Sequence, residues 1–190
     1  MGDKVPRKLR CWLACEDLEQ ENLFRPILQE MFGKHRIRVL PRKPNGGVAF
    51  VLQQVEKCYQ FVRQRPQESV GALIVVDGDE VGLEGRLAEI AAKSGAKGGN
   101  FDERVAKCIP SRTVETSEMW LCGERDLNET TEYKDAFRRE VQRGRMSSGK
   151  AVLAWFTSRS AHDVALEKAL LPALAHGRKE LGRLEKFAKG

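Results

Sequence analysis

The chain has 190 residues, of which 41% are hydrophobic, and its net charge is +6; these values suit one folded domain with a full core. The longest apolar runs, such as ALIVV and AVLAWF, are too short to span a bilayer, and the amino-terminal segment lacks the apolar core of a signal peptide. The five cysteines form no CxxC pair, which argues against a zinc site and favours reduced thiols. We therefore expect a cytoplasmic protein with no membrane association.

Short apolar segments alternate with amphipathic ones in the first half of the chain. "RKLRCWLACED" predicts a strand that ends at Glu16, and "EQENLFRPILQEMFG" predicts a helix with Gly33 after its end. "RIRVLP" predicts a second strand. "VAFVLQQVEKCYQFVRQR" predicts a second helix, whose apolar stripe runs from Val48 to Val62.

The same alternation continues through the middle of the chain. "GALIVVD" is a continuous apolar run, which favours a strand buried on both faces of a parallel sheet. "EVGLEGRLAEIAAKSG" predicts the third helix, "RVAKCIP" the fourth strand, and "SRTVETSEMWLCG" a fourth helix with Ser111 as its N-cap. This order predicts an α/β fold in which helices flank a parallel four-stranded sheet.

The positive charge is concentrated in the carboxyl-terminal part. From Lys134 onward there are 13 Lys and Arg residues against 6 Asp and Glu, whereas residues 1–133 hold 20 against 21. The pattern also becomes helical and polar after about residue 125. We therefore divide the chain into a domain at 1–125 and a basic helical extension at 126–190 that packs on it. On charge alone, a solvated basic helix and a nucleic-acid contact explain the extension equally well.

Acidic residues follow the predicted strands. Glu16 ends the first strand, Asp77 and Asp79 end the third, and Glu118 lies in the helix after the fourth. The carboxyl ends of parallel strands meet at one edge of a sheet, where α/β proteins bind ligands. Clustered carboxylates repel each other unless a cation is bound, and Mg²⁺ prefers a few carboxylate oxygens together with waters and substrate phosphates. The pattern predicts a Mg²⁺ or Mn²⁺ site at Glu16, Asp77, Asp79 and Glu118. The alternative is that "DGD" forms an Asp-Gly turn before the next helix and that the other acids are solvent-exposed residues without a ligand.

These motifs resemble those of the Toprim superfamily, the catalytic domain of topoisomerases, primases and OLD-type nucleases. That family has a Glu at the end of the first strand and an Asp-x-Asp at the end of a later one, here Glu16 and "DGD". The chain is most similar to small stand-alone Toprim proteins related to OLD nucleases. "CEDLEQENLFRPILQEMF" follows their pattern of acids before an apolar helix, and "EMW", Glu118 to Trp120, is similar to their Glu-x-Trp segment. The resemblance covers residues 9–125.

Two positions depart from the family pattern. Asp17 stands where the family usually has Gly, and Gln20 stands where a further acid is expected, with Glu19 and Glu21 on either side. The missing acid supports one metal ion better than two.

The resemblance implies a Toprim-like (Rossmannoid) fold and a Mg²⁺-dependent nuclease that cleaves phosphodiester bonds in nucleic acid, with DNA as the favoured candidate and RNA left open. Asp77, Asp79 and Glu16 would hold the metal, which polarises the phosphate and activates water, and Glu16 or Glu19 would serve as general acid or base. Such proteins are often encoded with an ABC-type ATPase and act in antiviral or antiplasmid defence, so an ATPase partner is implied. The sequence does not determine whether the protein forms a homo-oligomer.

Basic residues in two regions are candidate contacts for the nucleic-acid backbone. "GRMSSGKA" matches GxxxxGK, but it lacks the final Ser/Thr and follows a helix, which argues against a P-loop. The three histidines, His35, His162 and His176, have no partners at catalytic spacing and are interpreted as surface residues. The candidate phosphate contacts are Arg42 and Lys43 after the second strand, and Arg138, Arg139, Arg143, Arg145 and Lys150 in the extension.

Two alternative functions stay open. The first is a phosphoacceptor receiver domain, with Asp77 as the phosphorylation site and Glu16 and Asp17 holding Mg²⁺. The spacing from Asp17 to Asp77 is long for a receiver, and "DGDE" differs from the turn that receivers carry. The second is a non-catalytic Toprim-fold subunit that docks on an ATPase or on nucleic acid. This alternative is supported by Gln20, which stands where the family pattern has an acid.

Overall fold

The sheet of this protein is parallel throughout. The structure is a computed structural model, and it describes residues 9–43, 46–95 and 103–189. The strands run in the order β2-β1-β3-β4, and each neighbouring pair is parallel, as the alternation of segments predicted. The strands of the described residues are β1 Arg10–Ala14, β2 Ile37–Val39, β3 Val70–Val75 and β4 Val105–Cys108.

Helices cover both faces of the sheet, which confirms the predicted α/β architecture. Side chains of α1, α4, α6 and α8 join Leu13 and Leu73 in one apolar cluster, while α2 and α3 join Ala14 and Ile74 in another. A short 3₁₀ turn, Lys34–Arg36, precedes β2. The helices are α1 Leu18–Phe32, α2 Gly47–Arg63, α3 Gly82–Lys93, α4 Val114–Leu121, α5 Lys134–Gln142, α6 Ser148–Phe156, α7 Ala161–Leu170 and α8 Pro172–Lys189.

Strand β3 occupies an inner position, and all six of its residues are buried. Its two faces pack against the two apolar clusters, so an uninterrupted apolar run is stable there. The chain reverses its winding direction between β1 and β3, since β2 lies on one side of β1 and β3 on the other. Such a switch point opens a crevice at the carboxyl ends of the two strands.

The carboxyl-terminal helices pack directly on the sheet. Helix α8 runs beside β4, where Glu180 accepts the backbone N–H of Lys107 and Arg183 donates to the Val105 carbonyl oxygen. These contacts satisfy backbone groups on the free edge of β4, which would otherwise be open to pairing with another chain. Leu174, with other apolar residues of α8, joins the cluster that contains α1. The boundary between residues 125 and 126 stays a sequence prediction.

The predicted ends of β1 and β3 and the predicted N-cap of α4 were wrong. Strand β1 ends at Ala14 and β3 at Val75, so Glu16 and Asp77 lie in the loops that follow. The N-cap of α4 is Thr113, without a side-chain hydrogen bond, instead of Ser111. The chain stays irregular near Ser111 because a neighbouring loop packs against it: the N–H of Gly78 donates to the Pro110 carbonyl oxygen (2.6 Å).

None of the helices in the described ranges has the length and apolar content needed to cross a membrane.

Candidate functional site

The loops after β1 and β3 bring Glu16 and Asp77 to the switch point of the sheet. Gln20, which is fully buried in the first turn of α1, contacts both. The backbone N–H of Glu16 donates to Gln20 Oε1 (2.9 Å), and Gln20 Nε2 donates to Asp77 Oδ1 (2.9 Å). The convergence predicted from the strand ends is therefore present for these two acids.

Gln20 is held in place by the N-cap of its own helix. Asp17 Oδ1 accepts the backbone N–H of Gln20 (2.8 Å), an N-cap contact that fixes the start of α1. The Gln20 side chain then uses its oxygen and its nitrogen at the same time. An ionised acid at this position could not donate to Asp77, so the amide of Gln20 has a structural role here.

The ionised forms of Glu16 and Asp77 are both disfavoured at the switch point. Burial raises the pKa of Asp77, which is 9% exposed, well above its usual range, and the charges of Glu16 and Asp17 raise it further. Burial also raises the pKa of Glu16, although a hydrogen bond from the Asp77 backbone offsets part of the effect. Glu16 Oε2 is buried and has no hydrogen-bond partner within the described residues. Within the described residues neither acid has an ion-pair partner, so the ionised form of each is disfavoured at this position.

The start of α2 approaches the same carboxylate. A Cβ on Gly47 would lie 3.6 Å from Glu16 Oε1, and Gly47 has a φ of +50°, which favours glycine. The backbone can therefore come close to Glu16 without a side chain between them.

Asp79 lies nearby, but unlike Asp77 it is exposed and forms an ion pair. Its side chain is 52% exposed and pairs with Arg86 (3.5 Å), whose Nε donates to the Asp77 carbonyl oxygen (2.9 Å). The chain turns at Gly78, where a Cβ would lie 2.8 Å from the Ser111 carbonyl oxygen, and Asp79 has a φ of +46°. Residues two positions apart on a strand point to the same side, but here Asp77 is buried while Asp79 is exposed and pairs with Arg86, so the "DGD" motif does not present two parallel carboxylates.

Glu118 belongs to a second acidic group, between α4, α1 and α6. It is 1% exposed, and burial raises its pKa to about 7, while a hydrogen bond from Ser148 lowers it. The charges of Glu115, Glu19 and Asp17 raise it further, so these acids lie within electrostatic range. Glu118 Oε1 is buried without a hydrogen-bond partner among the described residues.

The chemistry of the Glu16–Asp77 pair fits one hard cation. In the part of the chain that the structure describes, no group of three or more His, Cys, Asp and Glu side chains is placed to hold a metal ion. Mg²⁺ in phosphoryl-transfer sites is commonly held by one or two carboxylates, with waters and substrate phosphates as the other ligands. The buried Oε2 of Glu16 beside buried Asp77 provides such a donor set, whereas Asp79 pairs with Arg86 and Glu118 contacts Ser148.

The predicted phosphate contacts near β2 lie on the surface. Arg42 pairs with Glu21 (3.0 Å), which also pairs with Arg25 one helical turn away (3.0 Å). Lys43 is exposed, and its carbonyl oxygen accepts the N–H of Gly46. Arg42 and Lys43 lie in the loop that leads to α2, whose start approaches Glu16.

The predicted contacts in the extension lie on α5, in the turn after it and, for Lys150, in the first turn of α6. Arg138 pairs with Asp135 (3.5 Å), and Arg143 and Arg145 pair with Glu140 (2.6 and 3.4 Å). These pairs are local, and all three arginines keep more than half of their side chains exposed. The remaining two are Arg139, which is exposed, and Lys150, whose Nζ donates to the carbonyl oxygens of Gly144 and Arg145 (3.2 and 2.8 Å).

Sequence reasoning missed Arg86 and Ser148. Arg86 is buried on α3, where it lies three residues after Leu83 and four before Ile90, on the apolar face of the helix. A charged residue at a core-facing position is a signal that sequence alone could have given. Ser148 gave no such signal, because its contact with Glu118 joins two helices that are distant in the chain.

No family model, curated protein or solved structure matches this chain.

Proposed function

We propose that the protein is a Mg²⁺-dependent, Toprim-type nuclease that cleaves phosphodiester bonds in nucleic acid, with DNA as the favoured candidate substrate and RNA as the alternative. The observation that carries the proposal is the pair formed by half-buried Glu16 and buried Asp77 at the switch point, where both pKa values are raised and neither acid has an ion-pair partner among the described residues. Two such acids at the carboxyl edge of a parallel sheet suit a cation that in turn binds phosphate. The order of the Glu, Asp-x-Asp and Glu-x-Trp motifs supports the Toprim assignment.

In this proposal Glu16 and Asp77 hold the metal, which when bound supplies a Lewis acid and an activated water. Gln20 orients the Asp77 carboxylate through its Nε2, and Arg86 fixes the backbone of the same residue through its carbonyl oxygen. Glu19, half-buried in the first turn of α1, is the candidate general acid or base, since Glu16 is engaged with the ion.

Nucleic acid would be held by exposed cations without reading of the sequence. The candidates are the basic residues of the loop before α2 and of the α5 region, together with Lys150. An ABC-type ATPase partner, a role in antiviral or antiplasmid defence and a cytoplasmic location belong to the same proposal through the family resemblance.

A non-catalytic Toprim-fold subunit that docks on an ATPase or on nucleic acid is the second candidate. The observation that favours it is Gln20, an amide that occupies the position of an expected acid and binds Asp77 directly (2.9 Å). A receiver-like phosphoacceptor also places an acid after the third strand of such a sheet. In this protein, however, one oxygen of the corresponding residue, Asp77, already accepts a hydrogen bond.

The deciding experiment is incubation of the protein with plasmid, single-stranded DNA and RNA in Mg²⁺ or Mn²⁺. We expect cleavage by the wild type and by the Asp135→Asn control, which changes an exposed acid on α5, and background cleavage by Asp77→Asn. Binding without cleavage in either metal would favour the non-catalytic subunit. Stable labelling of Asp77 by acetyl phosphate would favour the receiver. Full activity of Asp77→Asn would exclude the proposed site.

A further inference from the structure

A cavity of about 660 Å³ lies between the first turn of α3 and the helices α7 and α8. Its volume falls within the range of small-molecule sites, roughly 300–1,000 Å³. One part of its wall is apolar and comes from three different elements. These residues are Leu83 of α3, Val164 of α7, and Pro172 and Ala175 of α8.

A buried ion-pair cluster forms another part of the wall. Glu167 is almost fully buried and pairs with Arg159 (2.7 Å) and Arg178 (3.1 Å). Arg178 also donates to the Trp155 carbonyl oxygen (3.0 Å), and its guanidinium lies 4.4 Å from the centre of the Trp155 ring. One carboxylate between two guanidinium groups leaves a surplus positive charge, and the contacts fix that charge in place before any ligand arrives.

Two further cations line the cavity. Lys168 and Lys179 are exposed, and neither forms an ion pair with a residue of the described ranges. In this they differ from Arg138, Arg143 and Arg145, which pair with acids on their own helix or turn. The cavity therefore has an excess of positive charge beside an apolar surface.

His176 also lines the cavity, and the expectation that it is a surface residue was wrong. It is half-buried, and within the described residues its Nε2 is buried without a hydrogen-bond partner. Burial lowers its pKa, so the ring adds no positive charge to the cavity wall at neutral pH. The charge available to a ligand therefore comes from the lysines and arginines of the wall.

We propose that this cavity binds a mononucleotide, with the phosphate near Lys168 and Lys179 and the nucleoside against the apolar wall. A phosphate monoester carries close to two negative charges at pH 7, which matches the charge of the two lysines. The planar base suits Arg159, whose guanidinium is partly exposed, because guanidinium groups stack on planar rings. The site requires neither a metal ion nor the carboxylates of the proposed nuclease.

The test is calorimetric titration of metal-free protein, in EDTA, with each of the four ribonucleoside 5′-monophosphates. We expect saturable binding of at least one of them, and at least tenfold weaker binding to Lys168→Gln/Lys179→Gln. The matched control is Lys186→Gln/Lys189→Gln, which removes the same charge from positions of α8 that do not line the cavity and should bind as the wild type does. Inorganic phosphate and the uncharged nucleosides should each bind more weakly than the mononucleotide.

Three results would overturn the proposal. The first is the absence of saturable binding for all four mononucleotides at millimolar concentration. The second is equal affinity for the wild type and Lys168→Gln/Lys179→Gln. The third is loss of binding in Asp77→Asn, which would show that the nucleotide binds at the Glu16–Asp77 edge of the sheet instead of in the cavity. Because the titration contains no metal and measures no cleavage, its outcome is separate from that of the nuclease assay.

Discussion

Two groups of buried charge in this protein differ in how they are neutralised. At the carboxyl edge of the sheet, Glu16 and Asp77 have raised pKa values and no ion-pair partner among the described residues. At the free edge of β4, Glu180 is similarly buried, at 8% exposure, but it pairs with Lys107 (3.1 Å) and Arg183 (2.9 Å). Burial alone would raise the pKa of Glu180, yet the hydrogen bonds and charges of Arg183 and Lys107 lower it.

The difference separates a structural role from a functional one. A buried carboxylate with two cationic partners joins α8 to the edge strand and contributes nothing further when a ligand is added. Half-buried Glu16 and buried Asp77, which have no cationic ion-pair partner among the described residues, leave electrostatic free energy that a proton or a bound cation can recover. Substitutions at the two edges should therefore change stability in opposite directions.

The largest loss of stability is expected at the β4 edge. Glu180→Gln removes the carboxylate that faces the buried ammonium of Lys107, and breaking a buried pair in this way costs about 3–5 kcal/mol of unfolding free energy. Urea denaturation measures the loss. Glu185→Gln on the same helix removes only an exposed pair with Lys189 and should have little effect. Equal stability of the two variants would show that the Glu180 cluster does not hold α8 to the sheet.

Next in size is a pH effect at Glu118. Its pKa of about 7 lies above the usual value of 4.5, so the folded state holds a proton that the unfolded state releases between these values. Stability is therefore lost as the pH rises through this window, by about 3 kcal/mol in full. Glu118→Gln should match the wild type near pH 4.5 and exceed it by up to that amount at pH 8, as measured by denaturation at each pH. Parallel pH profiles for the two proteins would contradict the buried, protonated Glu118.

A smaller effect is expected from metal at the Glu16–Asp77 edge. Mg²⁺ at about ten times its dissociation constant should stabilise the wild type by about 1.4 kcal/mol and should leave Asp77→Asn unchanged. Without metal at neutral pH, Asp77→Asn should melt above the wild type, because the substitution removes a carboxylate whose burial raises its pKa. Thermal unfolding in EDTA and in Mg²⁺ tests both statements. A metal-free Asp77→Asn that melts below the wild type would make Asp77 a structural residue.

The smallest effect on stability is expected from the exposed arginines of the α5 region. Replacing Arg138, Arg139, Arg143 and Arg145 with Ala removes surface pairs that contribute little to stability. If these residues bind phosphates, the slope of log K against log salt for nucleic-acid binding should flatten by about one for each arginine–phosphate pair that the substitutions remove. An unchanged slope would make the α5 region a solvated cover or a docking face.

The order and type of the elements follow from the amino-acid sequence alone. Short apolar or alternating segments predicted the strands, helical spacing predicted the helices between them, and the order of these elements predicted a parallel sheet. The sequence also placed Glu16 and Asp77 at the same edge, because the carboxyl ends of parallel strands share one side of the sheet. Each of these inferences needs only local pattern and the direction of the strands.

Which side chains meet depends on the packing of whole elements. Gln20 contacts Asp77 across 57 positions of the chain, and Lys107 contacts Glu180 across 73. Arg86 pairs with Asp79 where the loop turns at Gly78. The sequence motif "DGD" does not by itself indicate this turn or this ion pair. Periodicity in a sequence indicates whether a residue faces the core or the solvent, but it carries no information on the distant partner that neutralises a buried charge, since that partner is set by tertiary packing.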